Sequence, residues 1–189
     1  VIKKMNTDLL FNISQLLKES VGSTRRFTLM TPALVLDDGS SDPDLDETLL
    51  ARDLEGSVKV TRLKEGVLVQ GDVEAQVELL CSRCLEPFRL PVDAQLEEQF
   101  QPTVDIGTGQ EAKRAEEVET DQAFHIDANH PMDLSEPVSQ ALLVALPMKP
   151  LHSEDCAGIC PECGANRNVM ECGHNQATSD DRWSGLREL

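Results

Sequence analysis

There is no tyrosine in these 189 residues, and a single tryptophan, Trp183, accompanies five phenylalanines. A sheet face that stacks bases needs several rings side by side, so a broad platform for single-stranded nucleic acid is excluded. Basic residues are also short: 17 Lys+Arg stand against 34 Asp+Glu, a formal net charge of −17. Such a surface repels polyanions as a whole, and any contact with nucleic acid has to be local. No apolar run approaches the roughly 20 residues that span a bilayer, and the first twenty residues contain no apolar stretch ending in a small-residue cleavage site. A cytoplasmic protein is expected. The G-x-S-x-G, P-loop, G-x-G-x-x-G and H-E-x-x-H patterns are all missing, which removes the common signposts of hydrolase, nucleotide and metalloprotease chemistry.

What is present fits one sizeable core plus a small satellite module. From 67 to 79 the odd positions are Val67, Val69, Gly71, Val73, Ala75, Val77 and Leu79, while polar Gln70, Asp72, Glu74, Gln76 and Glu78 fill even ones. Period two over that length predicts a long strand with one buried face. Val58 and Val60 precede it across a Lys64-Glu65-Gly66 turn, and Phe88, Leu90, Val92, Ala94, Leu96 and Phe100 alternate with polar residues after it. The expectation is an α+β fold, an antiparallel β-meander packed by one or two helices. A short strand, a helix capped by Ser14 and a strand through Arg25–Met30 are expected ahead of the meander. Asp133-Leu134-Ser135-Glu136 reads as a capping box with Pro137 in the first turn, opening a helix striped by Leu134, Val138, Ala141, Leu142 and Ala145 and stopping at Pro147. The acidic stretch 37–47 reads as an exposed loop, 102–121 as a long mobile loop, and 180–189 as a short terminal helix carrying Trp183. The domain reading is a sheet-plus-helix core over 1–150 and a metal-binding segment over 151–189, clamped to residues 81–84.

The chemistry-bearing residues are six cysteines and two of the four histidines, spaced Cys81-x2-Cys84, then His152-x3-Cys156-x3-Cys160-x2-Cys163-x8-Cys172-x-His174. Two C-x-x-C pairs in a chain without an export signal favour metal over disulfides. The first pair falls on the turn between two long strands, where both thiolates can face one ion. Eight donors suit two tetrahedral zinc ions, and spacing allows two divisions. A ribbon would join Cys81/Cys84 to Cys160/Cys163 and strand four donors. The preferred division joins Cys81, Cys84, His152 and Cys156 in one site and Cys160, Cys163, Cys172 and His174 in the other. Four protein donors leave no open position for water or substrate, so both sites would be structural and no catalytic residue is expected. His125 and His130 have no ligand spacing and read as surface or packing residues.

With those residues in view, the chain resembles the YceD family, also known as DUF177 and linked to accumulation of 23S ribosomal RNA. The resemblance rests on Cys81-Ser82-Arg83-Cys84-Leu85 after a long strand, Leu146-Pro147-Met148-Lys149-Pro150-Leu151, the run from Ser153 through Cys156, Cys160-Pro161-Glu162-Cys163 and Gly164 to Asn166, and Asp181-Arg182-Trp183. It covers residue 8 to the end, with only an outline match in the amino-terminal third. Similar members carry Cys where this chain has His152 and His174, an exchange that keeps a metal donor, and some lack the second cluster. The resemblance implies a role in large-subunit ribosome biogenesis, with 23S rRNA or its precursor, or large-subunit assembly proteins, as partners, and it implies no catalytic residue. It implies neither a membrane nor a small-molecule substrate.

Two Zn2+ on six thiolates bring the net charge to about −19. RNA contact would then need local basic groups; the candidates are Arg25-Arg26, the hairpin residues Lys59, Arg62 and Lys64, and Arg83 and Arg89 near the first cysteine pair, with Arg83 foremost. The competing reading is an acidic interaction module that escorts a basic ribosomal protein.

Overall fold

The computed structural model describes residues 7–36, 49–103, 124–126 and 131–174. The chain divides into two compact units, one formed by 1–79 with 89–148 and the other by 80–88 with 149–189. The stretches 37–47 and 180–189 lie outside the described residues, as do His130 and most of 102–121.

The larger unit holds nearly all the regular structure. A 3-10 turn, Thr7–Leu9, leads into β1 (Leu10–Asn12) and α1 (Ser14–Lys18); then come β2 (Thr24–Leu36), β3 (Leu49–Leu63), β4 (Gly66–Leu80), β5 (Pro87–Pro102), β6 (Phe124–Ile126), β7 (Pro131–Asp133) and α2 (Ser135–Ala145). β1 and β7 make a two-stranded antiparallel ribbon, while the main sheet runs β2-β3-β4-β5-β6. β2 to β3 and β3 to β4 are antiparallel neighbours, as the alternation predicts. β6 differs: it lies parallel to β5, pairing Phe100–Pro102 with Phe124–Ile126, so the sheet is mixed. Three residues are too short to register as a period, which is why the alternation does not reveal this strand.

The period-two pattern is realised side chain by side chain. Val67, Val69, Val73, Ala75, Val77 and Leu79 of β4 are buried, as are Val92, Ala94, Leu96 and Phe100 of β5. Each buried valine contributes roughly 1.5–3 kcal/mol relative to exposure, so a one-residue slip of register would lose the whole set. Leu9, Ile13, Leu16, Leu134, Val138 and Leu142 supply the helical side of the core and are fully buried. Phe100 stacks on Phe124 with ring centroids 5.2 Å apart, tying β6 to the end of β5. A register shift between Arg52 and Glu55 bends β3, and Asp53 there takes a φ of 49°.

α1 starts on Asn12 and not on the expected Ser14 cap, while α2 uses Asp133, the first residue of the expected capping box, one position ahead of its N-cap. Neither α1 nor α2 has a side-chain cap on its N-cap residue, Ile13 or Leu134. Instead Asn12 Oδ1 accepts from the Ser14 amide at 2.9 Å and Asp133 Oδ1 accepts from the Ser135 amide at 2.8 Å. The carboxamide or carboxylate two residues upstream serves a free amide of the first turn, as an Asx turn does. α2 ends at Ala145, one residue before Leu146-Pro147, because the residue before a proline is driven out of helical geometry. Its expected stripe fades toward that end: Leu134, Val138 and Leu142 are buried, whereas Ala145 is exposed.

Candidate metal centres

The smaller unit has almost no regular secondary structure among the described residues, and it is held by turns and by hydrogen bonds between its two segments. The β4–β5 turn closes with the Cys81 amide donating to Glu86 O at 3.0 Å and the Leu85 amide donating to Cys81 O at 2.9 Å. Carboxyl-terminal residues join it through main-chain bonds: Ser82 N to Pro150 O at 2.9 Å and Ile159 N to Arg83 O at 3.0 Å. Arg83 Nη1 donates to the carbonyls of Glu154 and Cys156 at 2.9 and 3.0 Å. Gly158, at φ +72°, sits where an added Cβ would lie 3.0 Å from Arg83 O. Only glycine accepts both that backbone and that approach cheaply.

This stitching brings Cys81, Cys84, His152 and Cys156 together, and the rest of the segment brings together Cys160, Cys163, Cys172 and His174; within each group all ligand atoms lie within 4.8 Å of one another. Sulfurs bonded to one tetrahedral zinc at about 2.3 Å stand about 3.8 Å apart. Cys81 Sγ and Cys156 Sγ are 3.8 Å apart, and Cys84 Sγ lies 3.4 Å from His152 Nδ1. A disulfide needs sulfurs at about 2.05 Å, and all six cysteines are free thiols. Either group could therefore hold a metal ion.

The second C-x-x-C repeats the turn of the first. Gly164 N donates to Cys160 O at 2.8 Å, and Cys160 N donates to Ala165 O at 2.8 Å. Turns of this type aim main-chain amides at the first sulfur. Burial is the largest influence on Cys81 and opposes its ionisation, but the amides of His152, Arg83 and Cys84 and the His152 ring outweigh it and bring the thiol down to about 5. The amides of Cys163 and Glu162 lead in bringing Cys160 down to about 6, against burial. Burial pushes Cys84 up, reinforced by the neighbouring sulfurs of Cys81 and Cys156, although the Glu86 amide opposes it. Main-chain amides thus favour the thiolate form of the first cysteine in each C-x-x-C pair.

The two groups differ in exposure. Cys81, Cys84 and Cys156 are buried and pack with half-buried Phe88 and Leu151, whereas in the second group only Cys160 is buried. The first also has supports that spacing did not reveal. Asn168 Nδ2 donates to Cys156 Sγ at 3.4 Å while its Oδ1 accepts from Ala157 N at 2.7 Å. Asn166 Oδ1 in turn holds Asn168 through N at 3.0 Å and Nδ2 at 2.8 Å. The only sequence signal is an Asn-x-Asn inside the loop between Cys163 and Cys172.

Several of the basic residues proposed from sequence already have acceptors within the chain. Arg62 Nη1 donates to Leu63 O at 2.6 Å and Gly66 O at 2.7 Å, closing the β3–β4 turn. Arg89 and Arg52 share Glu78 Oε1, at 3.0 and 3.1 Å, and hold the Glu78 carboxyl below its usual range, the Arg52 hydrogen bond leading. Arg83 is exposed but braces the cysteine turn. Arg25 pairs with Glu19, whereas Arg26, Lys59 and Lys64 are exposed, and Arg26 faces Lys59 across the β2–β3 ladder. His125 is exposed on β6.

The profile of "Large ribosomal RNA subunit accumulation protein YceD" matches residues 69–189, a span that includes all eight donors. The chain belongs to the YceD family. An uncharacterised protein of Mycobacterium tuberculosis and one of Mycobacterium bovis are each 33% identical to it over 136 residues, 72% of this chain and 61% of theirs. One from Mycobacterium leprae is 29% identical over 132 residues, 70% of this chain and 57% of its own. The chain therefore spans about three fifths of the curated relatives it matches. No solved structure matches it at a significant level. The YceD description names accumulation of a ribosomal RNA and no reaction, and no helix among the described residues is long and apolar enough to cross a membrane.

Proposed function

We propose that this YceD chain is a non-enzymatic zinc protein of large-subunit ribosome biogenesis that promotes accumulation of 23S rRNA, working in the cytoplasm through local contact with the RNA or with an assembly protein. The family match over 69–189 carries this reading. Cys81, Cys84, His152 and Cys156 would hold one Zn2+ and Cys160, Cys163, Cys172 and His174 the other, and both ions would be structural because four protein donors saturate each. In this reading the core ends near residue 150 and the segment 151–189 is a metal-folded module clamped to the 81–84 turn.

A second reading, escort of a basic ribosomal protein, is favoured by the state of the arginines. Arg62, Arg83 and Arg89 already have acceptors within the chain, which leaves Lys59 and Lys64 as the exposed members of the proposed RNA-contact set with no acceptor among the described residues, on a chain of net charge −17.

Depletion of the protein in its own cells, followed by quantifying 23S against 16S rRNA, tests the main reading. The ratio should fall and be restored by the wild-type chain but not by one lacking Cys81 and Cys160. An unchanged ratio would remove the ribosomal role. Native mass spectrometry with and without chelator should count two zinc ions per chain; a folded, reduced and metal-free protein would remove the zinc assignment.

A further inference from the structure

β5 is the last long strand of its sheet, and among the described residues its outer edge is paired only at Phe100–Pro102, where β6 lies against it. A cavity of about 440 Å3 runs beside the uncovered part. Every residue from Asp93 to Glu98 lines it, and its far wall is Gln140, Ala141, Val144 and Ala145 of α2. Successive strand residues point to opposite faces, so six in a row border one space only if that space follows the strand's edge. No β4 residue lines it, which fixes it on the outer side. An edge of this kind presents main-chain donors and acceptors to any extended chain that fits alongside.

The walls describe the chain that would fit. α2 offers small residues and Val144, an apolar side chain that is 87% exposed. Asp93, Glu97 and Glu98 are the charged residues of the lining, and no cation is among them.

We propose that this groove takes an extended, lysine- or arginine-bearing segment of a partner protein, which adds as a strand to the free edge of β5 with apolar side chains against Ala141 and Val144 and basic ones toward Asp93 and Glu97. Main-chain pairing would supply affinity, and the alternation of apolar and basic side chains would supply selectivity. The proposal rests on the second reading above, the escort of a basic protein, and gives it a surface.

The test uses the purified full chain and a fluorescein-labelled ten-residue peptide alternating lysine with valine, followed by anisotropy, beside a counterpart with two central prolines. The alternating peptide should bind, and binding should weaken about tenfold or more with the proline counterpart and with Ala145→Trp, which fills the groove at an exposed position without changing charge. Asp93→Asn/Glu97→Gln should weaken it as well. Equal binding of both peptides, insensitive to Ala145→Trp, would overturn the edge site while leaving a generally acidic escort surface standing. Failure of both peptides to bind would remove the edge site and the escort reading together. Amide exchange of Gln95–Gln99 in the free protein gives an independent measure, since protection equal to that of β3 would mean the edge is already covered by the chain itself and the groove is not a site.

Discussion

Leu85 and Gly164 occupy the same place in two copies of one turn. Each amide donates to the carbonyl of the first cysteine of its pair, Leu85 to Cys81 at 2.9 Å and Gly164 to Cys160 at 2.8 Å. Each also lies in the left-handed region, at φ 60° and 71°. Gly164 is the residue this backbone favours; a Cβ there costs roughly 1–2 kcal/mol. Leu85 bears that cost with a side chain 59% exposed, which recovers little by burial. Leu85→Gly should therefore leave thermal stability unchanged or slightly raised, the relief of strain outweighing glycine's extra chain entropy. Leu85→Val, branched at Cβ, should lower stability by about 1 kcal/mol. Thermal melts of the zinc-loaded chain decide it, and a marked loss on Leu85→Gly would show that the leucine side chain is held by something the strain argument omits.

Asn168 lies in sequence between the donors of the second group but touches a donor of the first. Its amide donates to Cys156 Sγ at 3.4 Å, and hydrogen bonds of this kind orient a thiolate and stabilise its charge. Asn168→Ala should weaken metal retention at Cys81, Cys84, His152 and Cys156 by about tenfold, within the range for lost outer supports. Chelator competition on a Cys160→Ser/Cys163→Ser background isolates that site. Retention equal to the parent would mean that the Asn168 contact is incidental.

The long strands and the grouping of chemistry-bearing residues were the legible parts. Val67 to Leu79 alternate because one face of β4 is buried, and period two survives any detail of tertiary context. The grouping was legible because two cysteine pairs at x2 spacing, with two further cysteines and two histidines close to the second pair, suit metal sites of four ligands each. β6 was hidden by its length. The start of α1 was misread because Asn12, and not Ser14, serves the first-turn amide, whereas Asp133, the first residue of the pattern read for α2, does serve an amide of its first turn. Arg83 drew attention as a rigidly held charge, and its rigidity comes from carbonyl acceptors at Glu154 and Cys156 that lie some seventy residues away in the chain and belong to no motif.

Cys81→Ser and Cys172→Ser should separate the two groups. Cys81 is fully buried and its sulfur lies 3.8 Å from Cys156 Sγ, so under the proposed assignment the first substitution removes a ligand shared between 80–88 and 149–159. It should reduce bound zinc from two to one and accelerate amide exchange across Ser82, Ile159 and their main-chain partners. Cys172 is partly exposed, and its loss should free the second ion while leaving exchange at Ser82 unchanged. Hydrogen exchange read by mass spectrometry gives both results at once. Faster exchange at Ser82 in Cys172→Ser would mean that the two groups fold as one.

Glu78 provides a pH signature on the sheet's open face. Arg52 and Arg89 both bond to its Oε1, and its carboxyl titrates below the ordinary value, chiefly through the Arg52 hydrogen bond. A carboxylate whose folded pKa lies below its unfolded one adds stability that is fully present above the unfolded value and is lost as pH falls through the folded value. The group is partly exposed, so the effect is small and screened by salt. Glu78→Gln should lower the melting temperature slightly at pH 7, and the gap should shrink as pH falls below the unfolded value and through the lowered folded one. The same comparison at high ionic strength should narrow the gap at pH 7. A gap that persists undiminished at pH 3 would assign the effect of Glu78 to packing between β4 and β5 and not to its charge.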